Sequence, residues 1–355
     1  MTPLGARIAA RIAAEGPISV ADYMAECLLH PEFGYYATRD PLGAAGDFIT
    51  APEISQMFGE MLGLALGQAW ADQGAPARIV LAELGPGRGT LMADMLRSLR
   101  AVPGFLDAAE VHLVEASPRL AARQREALQE HDVVWHGAAG DLPRDAPLFL
   151  VANEFFDALP IRQFMRAEGT DWRERRVGLR DGRLALGLAG PAPQPALAHR
   201  LDDTAPGEVV ELCPALPAIA AEIGARIERN GGAALILDYG GWRSRGDTLQ
   251  AVAAHGFADP LAAPGEADLT AHVDFEAIAR AAPCAHARLT PQGVFLERLG
   301  ITARARLLVR GLTGAALESH VAAHRRLTHP DEMGTLFKCL ALYPSRAAPP
   351  PGVDP

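Results

Sequence analysis

The stretch Ile79-Val80-Leu81-Ala82-Glu83-Leu84-Gly85-Pro86-Gly87-Arg88-Gly89-Thr90-Leu91 decides the fold of this chain. Ile79, Val80, Leu81 and Leu84 form a short apolar run suited to a buried parallel strand. Gly85, Gly87 and Gly89 follow at once, and Leu91, Met92, Met95, Leu96 and Leu99 then recur with helical spacing. The reading is strand, tight glycine turn, helix. Glycine at alternate positions strips Cβ atoms from one side of the turn, so a nucleotide-type ligand is able to lie against bare backbone at the carboxyl end of the strand.

The chemistry of the neighbouring residues narrows the ligand. A dinucleotide fingerprint G-x-G-x-x-G needs glycine at position 90, where this chain has Thr90. Glu83, two residues before the turn, would repel a pyrophosphate but attract the sulfonium and ammonium of S-adenosylmethionine. The next strand, Val111 to Glu115, ends in an acid placed to accept from both ribose hydroxyls. After the third, Val133 to Trp135, comes Asp141-Leu142, where an acid can take the adenine amino group. Gly85, Gly87, Gly89, Glu83, Glu115, Asp141 and Leu142 are therefore the expected adenosyl contacts.

Outward from this centre, strands and helices alternate. Helices are expected from Thr90 and over Pro118 to Glu130, further strands at Leu148 to Asn153 and Ala233 to Asp238, and a helix at about Ala215 to Arg229. Such alternation implies a mostly parallel sheet with helices on both faces, a Rossmann-like α/β fold. Upstream, helices are expected at Leu4 to Ala14 and Ile18 to Leu29. Thr50-Ala51-Pro52-Glu53 has the spacing of a capping box opening a long apolar helix, whose Gly59, Gly63 and Gly67 suit close packing against the sheet. An insertion at about 163–213 contains Asp181-Gly182, a type I′ hairpin signal, and reads as a small β cap. Helices near Phe275 to Ala281, Gly293 to Arg310 and Ala315 to Leu327 precede a last strand, Leu336 to Tyr343. The domain reading is a helical and lid region over 1–75, a Rossmann-like domain over 76–345, and a disordered Pro-rich tail over 346–355.

Asn153-Glu154-Phe155-Phe156-Asp157-Ala158-Leu159-Pro160 closes the fourth strand at the same carboxyl edge as the glycine turn. Some amino-directed methyltransferases carry Asn or Asp there, followed by Pro-Pro-aromatic; here the match is partial. Glu154 and Asp157 are suited to hold a guanidinium while Phe155 or Phe156 stacks on it; the alternative is that both acids satisfy loop amides. Asn153 is the third catalytic candidate, and Asp268 and His272 are candidate substrate-pocket residues. His320 and His324 have zinc-helix spacing without the glutamate of H-E-x-x-H, so no metal is expected. Cys27, Cys213, Cys284 and Cys339 are scattered and read as buried thiols in a reducing compartment. The 355 residues are 49% hydrophobic and carry a net charge of −10, ordinary for a globular protein and contrary to the basic footprint of nucleic-acid binding. No apolar run is long enough for membrane insertion, and the start lacks the apolar core of a secretory signal.

Gly46-Asp47-Phe48-Ile49-Thr50-Ala51-Pro52-Glu53-Ile54-Ser55-Gln56-Met57-Phe58-Gly59-Glu60 resembles the MidA family, which includes mitochondrial complex I assembly methyltransferases. Leu29 to Tyr36, Glu83 to Gly89, Asn153 to Pro160, Asp238-Tyr239-Gly240 and Gly334 to Lys338 extend the resemblance over nearly the whole chain. It implies a class I S-adenosylmethionine-dependent methyltransferase fold and, for mitochondrial members, dimethylation of an arginine in the 49-kDa subunit of NADH dehydrogenase. It also implies that Asp47 and Phe48 fold over the cofactor as a lid. The expected partner is a protein substrate of that type; a homodimer is compatible with the sequence. The expected location is cytoplasmic for a bacterial chain and mitochondrial for a eukaryotic one. Two rival readings stand beside this one: a cofactor-binding assembly factor without essential catalysis, and an NAD-dependent oxidoreductase.

Overall fold

The computed structural model describes residues 2–38, 50–253 and 256–355. The chain divides into two compact units: Met1–Pro41 with Asp157–Leu216 and Arg243–Asp274, and Leu42–Phe156 with Pro217–Trp242 and Phe275–Pro355. This division does not follow the expected boundary at residue 75.

The second unit holds the parallel sheet. Its main strands are β1 (Ile79–Leu84), β2 (Ala109–Val114), β3 (Val133–His136), β4 (Leu148–Asn153), β5 (Gly232–Gly241) and β6 (Phe337–Tyr343). The order across the sheet is β6-β5-β4-β1-β2-β3. Every neighbouring pair from β5 to β3 is parallel, and β6 runs antiparallel to β5, so the sheet is mixed at one side. β1 and β4 are buried at every position, as strands covered on both faces must be. Strand order reverses at β1: the chain builds outward to β2 and β3, then returns to β4 on the other side. Open α/β sheets bind ligands at the carboxyl ends of the strands flanking such a reversal.

Helix α1 (Gln56–Asp72) packs against α2 (Thr90–Leu99). Its Gly59, Gly63 and Gly67 face α2 and the turn after it: a Cβ at Gly59 would lie 2.6 Å from Asp94 Cβ, and one at Gly63 3.0 Å from Met95 Cα. The glycine stripe thus brings two helices together, not a helix and the sheet as its spacing suggested. The capping reading also changes. Thr50 makes no side-chain cap bond to the four-residue helix Ala51–Ile54, the chain extends at Ser55, and the Ser55 hydroxyl caps α1. Further on, Gly300 (φ 90°) breaks the expected Gly293–Arg310 helix into Gln292–Arg298 and Ile301–Leu308. The tail read as disordered is tied down: Arg288 N donates to Asp354 O at 2.8 Å, and Arg298 pairs with the Asp354 carboxylate at 2.9 Å.

The first unit combines helices Pro3–Glu15 and Val20–Leu29 with a five-stranded antiparallel sheet. The hairpin is longer than its sequence signal, Asp171–Arg180 against Arg183–Pro193, and turns at Asp181 and Gly182 with φ of 52° and 74°, as a type I′ turn requires. Ile18–Ser19 pairs with that hairpin, so the N-terminal segment and the insertion share one sheet. Among the described residues no helix is long and apolar enough to cross a membrane.

Candidate active site

The glycine turn forms at the carboxyl end of β1, with φ of 62°, 54° and 85° at Gly85, Gly87 and Gly89. All three lie in the left-handed region open to glycine at little cost. A Cβ at Gly85 would stand 2.9 Å from the Phe155 ring, so the missing side chain lets the loop after β4 close on the turn.

Glu83 is 2% exposed. Its carboxylate accepts from Met92 N, and Oε2 has no hydrogen-bond partner. Burial is the main cause that pushes its pKa up to about 8, with the nearby Glu115 adding to the shift. An acid in this state is poised to meet a buried cation. Glu115, just past β2, is raised as well, mainly by burial. Its Oε1 accepts from Ser117 N at 2.7 Å and its Oε2 from Gln124 Nε2 at 3.0 Å. Asp141 follows β3 in a short 3-10 turn (Ala139–Asp141), is exposed, and accepts from Ala138 N at 3.0 Å; Leu142 beside it is buried.

At the end of β4, Asn153 is buried, with Oδ1 unpartnered and Nδ2 donating to Glu154 Oε1 at 3.0 Å. The same Glu154 oxygen accepts from Ala51 N at 3.2 Å. Glu154 has φ 51°, a conformation that costs a non-glycine residue about 1–3 kcal/mol and that concentrates at functional sites. Its backbone is held by Glu154 N donating to Leu237 O at 2.9 Å, and the next turn by Phe156 N donating to the buried Asp238 carboxylate at 3.0 Å. Phe155 and Phe156 meet edge to face, 5.1 Å between centroids. Glu53 accepts from the Thr90 hydroxyl at 2.5 Å, fastening the helix after residue 50 to the first turn of α2.

The remaining candidates lie in the first unit. Asp157 and Asp268 are buried, and the Ala271 N donates to Asp157 O at 3.0 Å. The Tyr36 hydroxyl donates to Asp268 Oδ1 at 2.9 Å, and burial with Asp268 and Asp157 raises the Tyr36 pKa well above its ordinary value. His272 N donates to Thr248 Oγ1 at 2.8 Å. Thus Glu83, Gly85, Gly87, Gly89, Glu115, Asp141, Leu142, Asn153, Glu154, Phe155 and Phe156 belong to one unit, and Asp157, Asp268 and His272 to the other. Asp47 and Phe48 lie outside the described residues. Sequence reading missed Tyr36, Gln124 and Asp238. Tyr36 lies in the stretch that carries the family resemblance, but nothing local signals its hydroxyl's partner. His320 and His324 turn to different partners, Ala305 O at 3.0 Å and Thr302 Oγ1 at 2.9 Å.

Comparison with known proteins places this geometry. Residues 61–294 match the Methyltransf_28 family of S-adenosyl-L-methionine-dependent methyltransferases. The chain is 38% identical to the mitochondrial protein arginine methyltransferase NDUFAF7 of Danio rerio, over 93% of this chain and 84% of that protein. It is 37% identical to the Homo sapiens counterpart, over 97% and 84%. The crystal structure of a Burkholderia thailandensis protein bound to S-adenosyl-homocysteine is similar at 32% identity and TM-score 0.83, covering 97% of this chain and 92% of that one.

Proposed function

Since the chain belongs to this family of S-adenosyl-L-methionine-dependent methyltransferases, we propose that it methylates an arginine side chain of a protein, its substrate being a 49-kDa-type subunit of NADH dehydrogenase during complex I assembly. The names of the curated relatives support the arginine; the subunit rests on the MidA resemblance. A bacterial chain of this kind would act in the cytoplasm, whereas the relatives above are mitochondrial.

The observation that carries the cofactor assignment is Glu83. A buried carboxylate with an unpartnered oxygen, beside a turn whose three glycines lack Cβ atoms, fits an ammonium and a sulfonium and would oppose a pyrophosphate. Glu115 would accept from the ribose hydroxyls, and Asp141 with Leu142 would border the adenine. When bound, the cofactor would supply an electrophilic methyl on sulfur: the carbon–sulfur bond breaks as a nitrogen–carbon bond forms and the methylated nitrogen gives up one proton, leaving S-adenosyl-homocysteine.

The protein's part is alignment and exclusion of water. A guanidinium is a poor nucleophile because its lone pairs are delocalised, and it needs carboxylates that hold charge on the nitrogens that do not react. Glu154 is the residue we assign to this role. Its left-handed backbone and the two donors on Oε1 fix the direction of its carboxylate. Asn153, with Oδ1 unpartnered, would accept from the same group. Calorimetric titration with S-adenosylmethionine and with NAD tests the cofactor reading: heat with the first alone supports it, and heat with NAD alone overturns it.

A further inference from the structure

Gln124, on helix α3 (Pro118–Ala127), is fully buried and uses both ends of its amide. Nε2 donates to Gly87 O at 2.8 Å and to Glu115 Oε2 at 3.0 Å, and Oε1 accepts from Trp135 Nε1 at 2.9 Å. An indole nitrogen only donates, so Trp135 fixes which end of the amide is the oxygen. Both Nε2 hydrogens therefore point at the carbonyl of the glycine turn and at the Glu115 carboxylate. A Cβ at Gly89 would lie 3.4 Å from Gln124 Cα, so the helix sits directly against the turn.

The consequence reaches past packing. The C=O and N–H of a trans peptide point in opposite directions. Holding the Gly87 carbonyl toward α3 thereby turns the peptide N–H of Arg88 the other way. Glu115 is held by Ser117 N at the strand end and by Gln124 from the helix. One side chain therefore sets the orientation of the turn and of the acid after β2 together.

We infer that Gln124 is a positioning residue for the adenosyl cofactor, coupling the glycine turn to the carboxylate that takes the ribose hydroxyls. The inference rests on the reading of Glu115 given above. It makes Gln124 a determinant of cofactor affinity while leaving the methyl-transfer step to other residues. Gln124→Glu is the discriminating change, since it keeps the side-chain shape and the acceptor for Trp135 but replaces the two donor hydrogens with an acceptor. Gln124→Met, similar in length and uncharged, keeps the test available should the acidic variant fail to fold.

The experiment is calorimetric titration of the full chain with S-adenosyl-homocysteine for wild type, both Gln124 variants, Glu115→Ala and the double variant Glu115→Ala/Gln124→Met, with circular dichroism to verify folding. Bonds to a charged group are strong enough that Gln124→Glu and Gln124→Met should each weaken binding about tenfold or more. Turnover at saturating S-adenosylmethionine should stay within about threefold of wild type, so that KM moves and kcat does not. The double variant should lose less affinity than the sum of the two single losses, because part of what Gln124 does is to hold the Glu115 carboxylate. Wild-type affinity in a folded Gln124 variant, or full additivity in the double variant, overturns the inference and leaves the Glu115 reading standing. Wild-type affinity in Glu115→Ala overturns that reading and the inference with it.

Discussion

Replacing Glu83 by glutamine probes the buried acid directly. Burial raises its pKa from the ordinary 4.5 to about 8, a shift that corresponds to roughly 5 kcal/mol in favour of the protonated form. At pH 7 only about one molecule in eleven then carries the charge, and at pH 6 about one in a hundred. A cationic ligand that binds the ionised form must drive the proton off. Affinity should therefore fall about fivefold from pH 8 to 7 and about tenfold from pH 7 to 6, with about 0.9 proton released per ligand at pH 7. Calorimetry with S-adenosyl-homocysteine in buffers of contrasting ionisation enthalpy reads both quantities. Any titration of the ligand itself is the same with both proteins, so the difference between wild type and Glu83→Gln belongs to Glu83. The variant should bind with the weak affinity that wild type approaches at low pH. Parallel pH dependences in the two proteins, or no proton release by wild type at pH 7, would refute the reasoning. Stability follows the same acid. Below pH 4.5 both native and unfolded chains hold the proton; between 4.5 and 8 the native chain keeps a proton that the unfolded chain loses. The ligand-free protein should lose up to about 1.4 kcal/mol per pH unit over that window, and Glu83→Gln should flatten the slope of Tm against pH.

Other consequences are equally specific. Glu115→Ala should weaken S-adenosyl-homocysteine about tenfold or more by calorimetry, through the lost bonds to a charged acceptor; unchanged affinity would remove it from the cofactor site. Gly85→Ala places a Cβ 2.9 Å from the Phe155 ring at φ 62°; about 1–2 kcal/mol of backbone strain should appear as a lower urea midpoint together with weaker cofactor binding. Tyr36→Phe removes the hydroxyl that donates to Asp268. It should cost about 1–3 kcal/mol of stability and reduce methylation of the protein substrate, while S-adenosyl-homocysteine binds as before; lost cofactor affinity would argue against a substrate role for Asp268.

Much of the second unit could be read from local pattern. The expected strands at Ile79, Leu148 and Ala233 begin within a residue of those observed because each is an apolar run bounded by turn residues, although the last runs three residues further, to Gly241. The strand and the left-handed glycine turn that follows it were legible because the pattern lies in consecutive residues. What sequence hid is non-local. Tyr36 and Asp268 are 232 residues apart, and nothing near either announces the other. Ile18–Ser19 reads as the start of a helix until the hairpin strand that pairs with it is known. Thr50 and Glu53 have the right types and spacing for a capping box, but the Glu53 carboxylate takes the hydroxyl of Thr90, 37 residues on, and Thr50 makes no side-chain cap bond. Gly300 breaks a helix whose apolar periodicity runs through it. The tail looked disordered by composition, yet Asp354 finds Arg288 and Arg298.

The most direct test of the account is mass spectrometry of a purified bacterial 49-kDa-type subunit incubated with S-adenosylmethionine and either the wild-type chain or Glu154→Gln, with S-adenosyl-homocysteine affinity measured on both. The account predicts methylated arginine with wild type and at least a hundredfold less with the variant, at cofactor affinities within about threefold of each other. Methyl groups on a residue other than arginine, or full activity in Glu154→Gln, would contradict it.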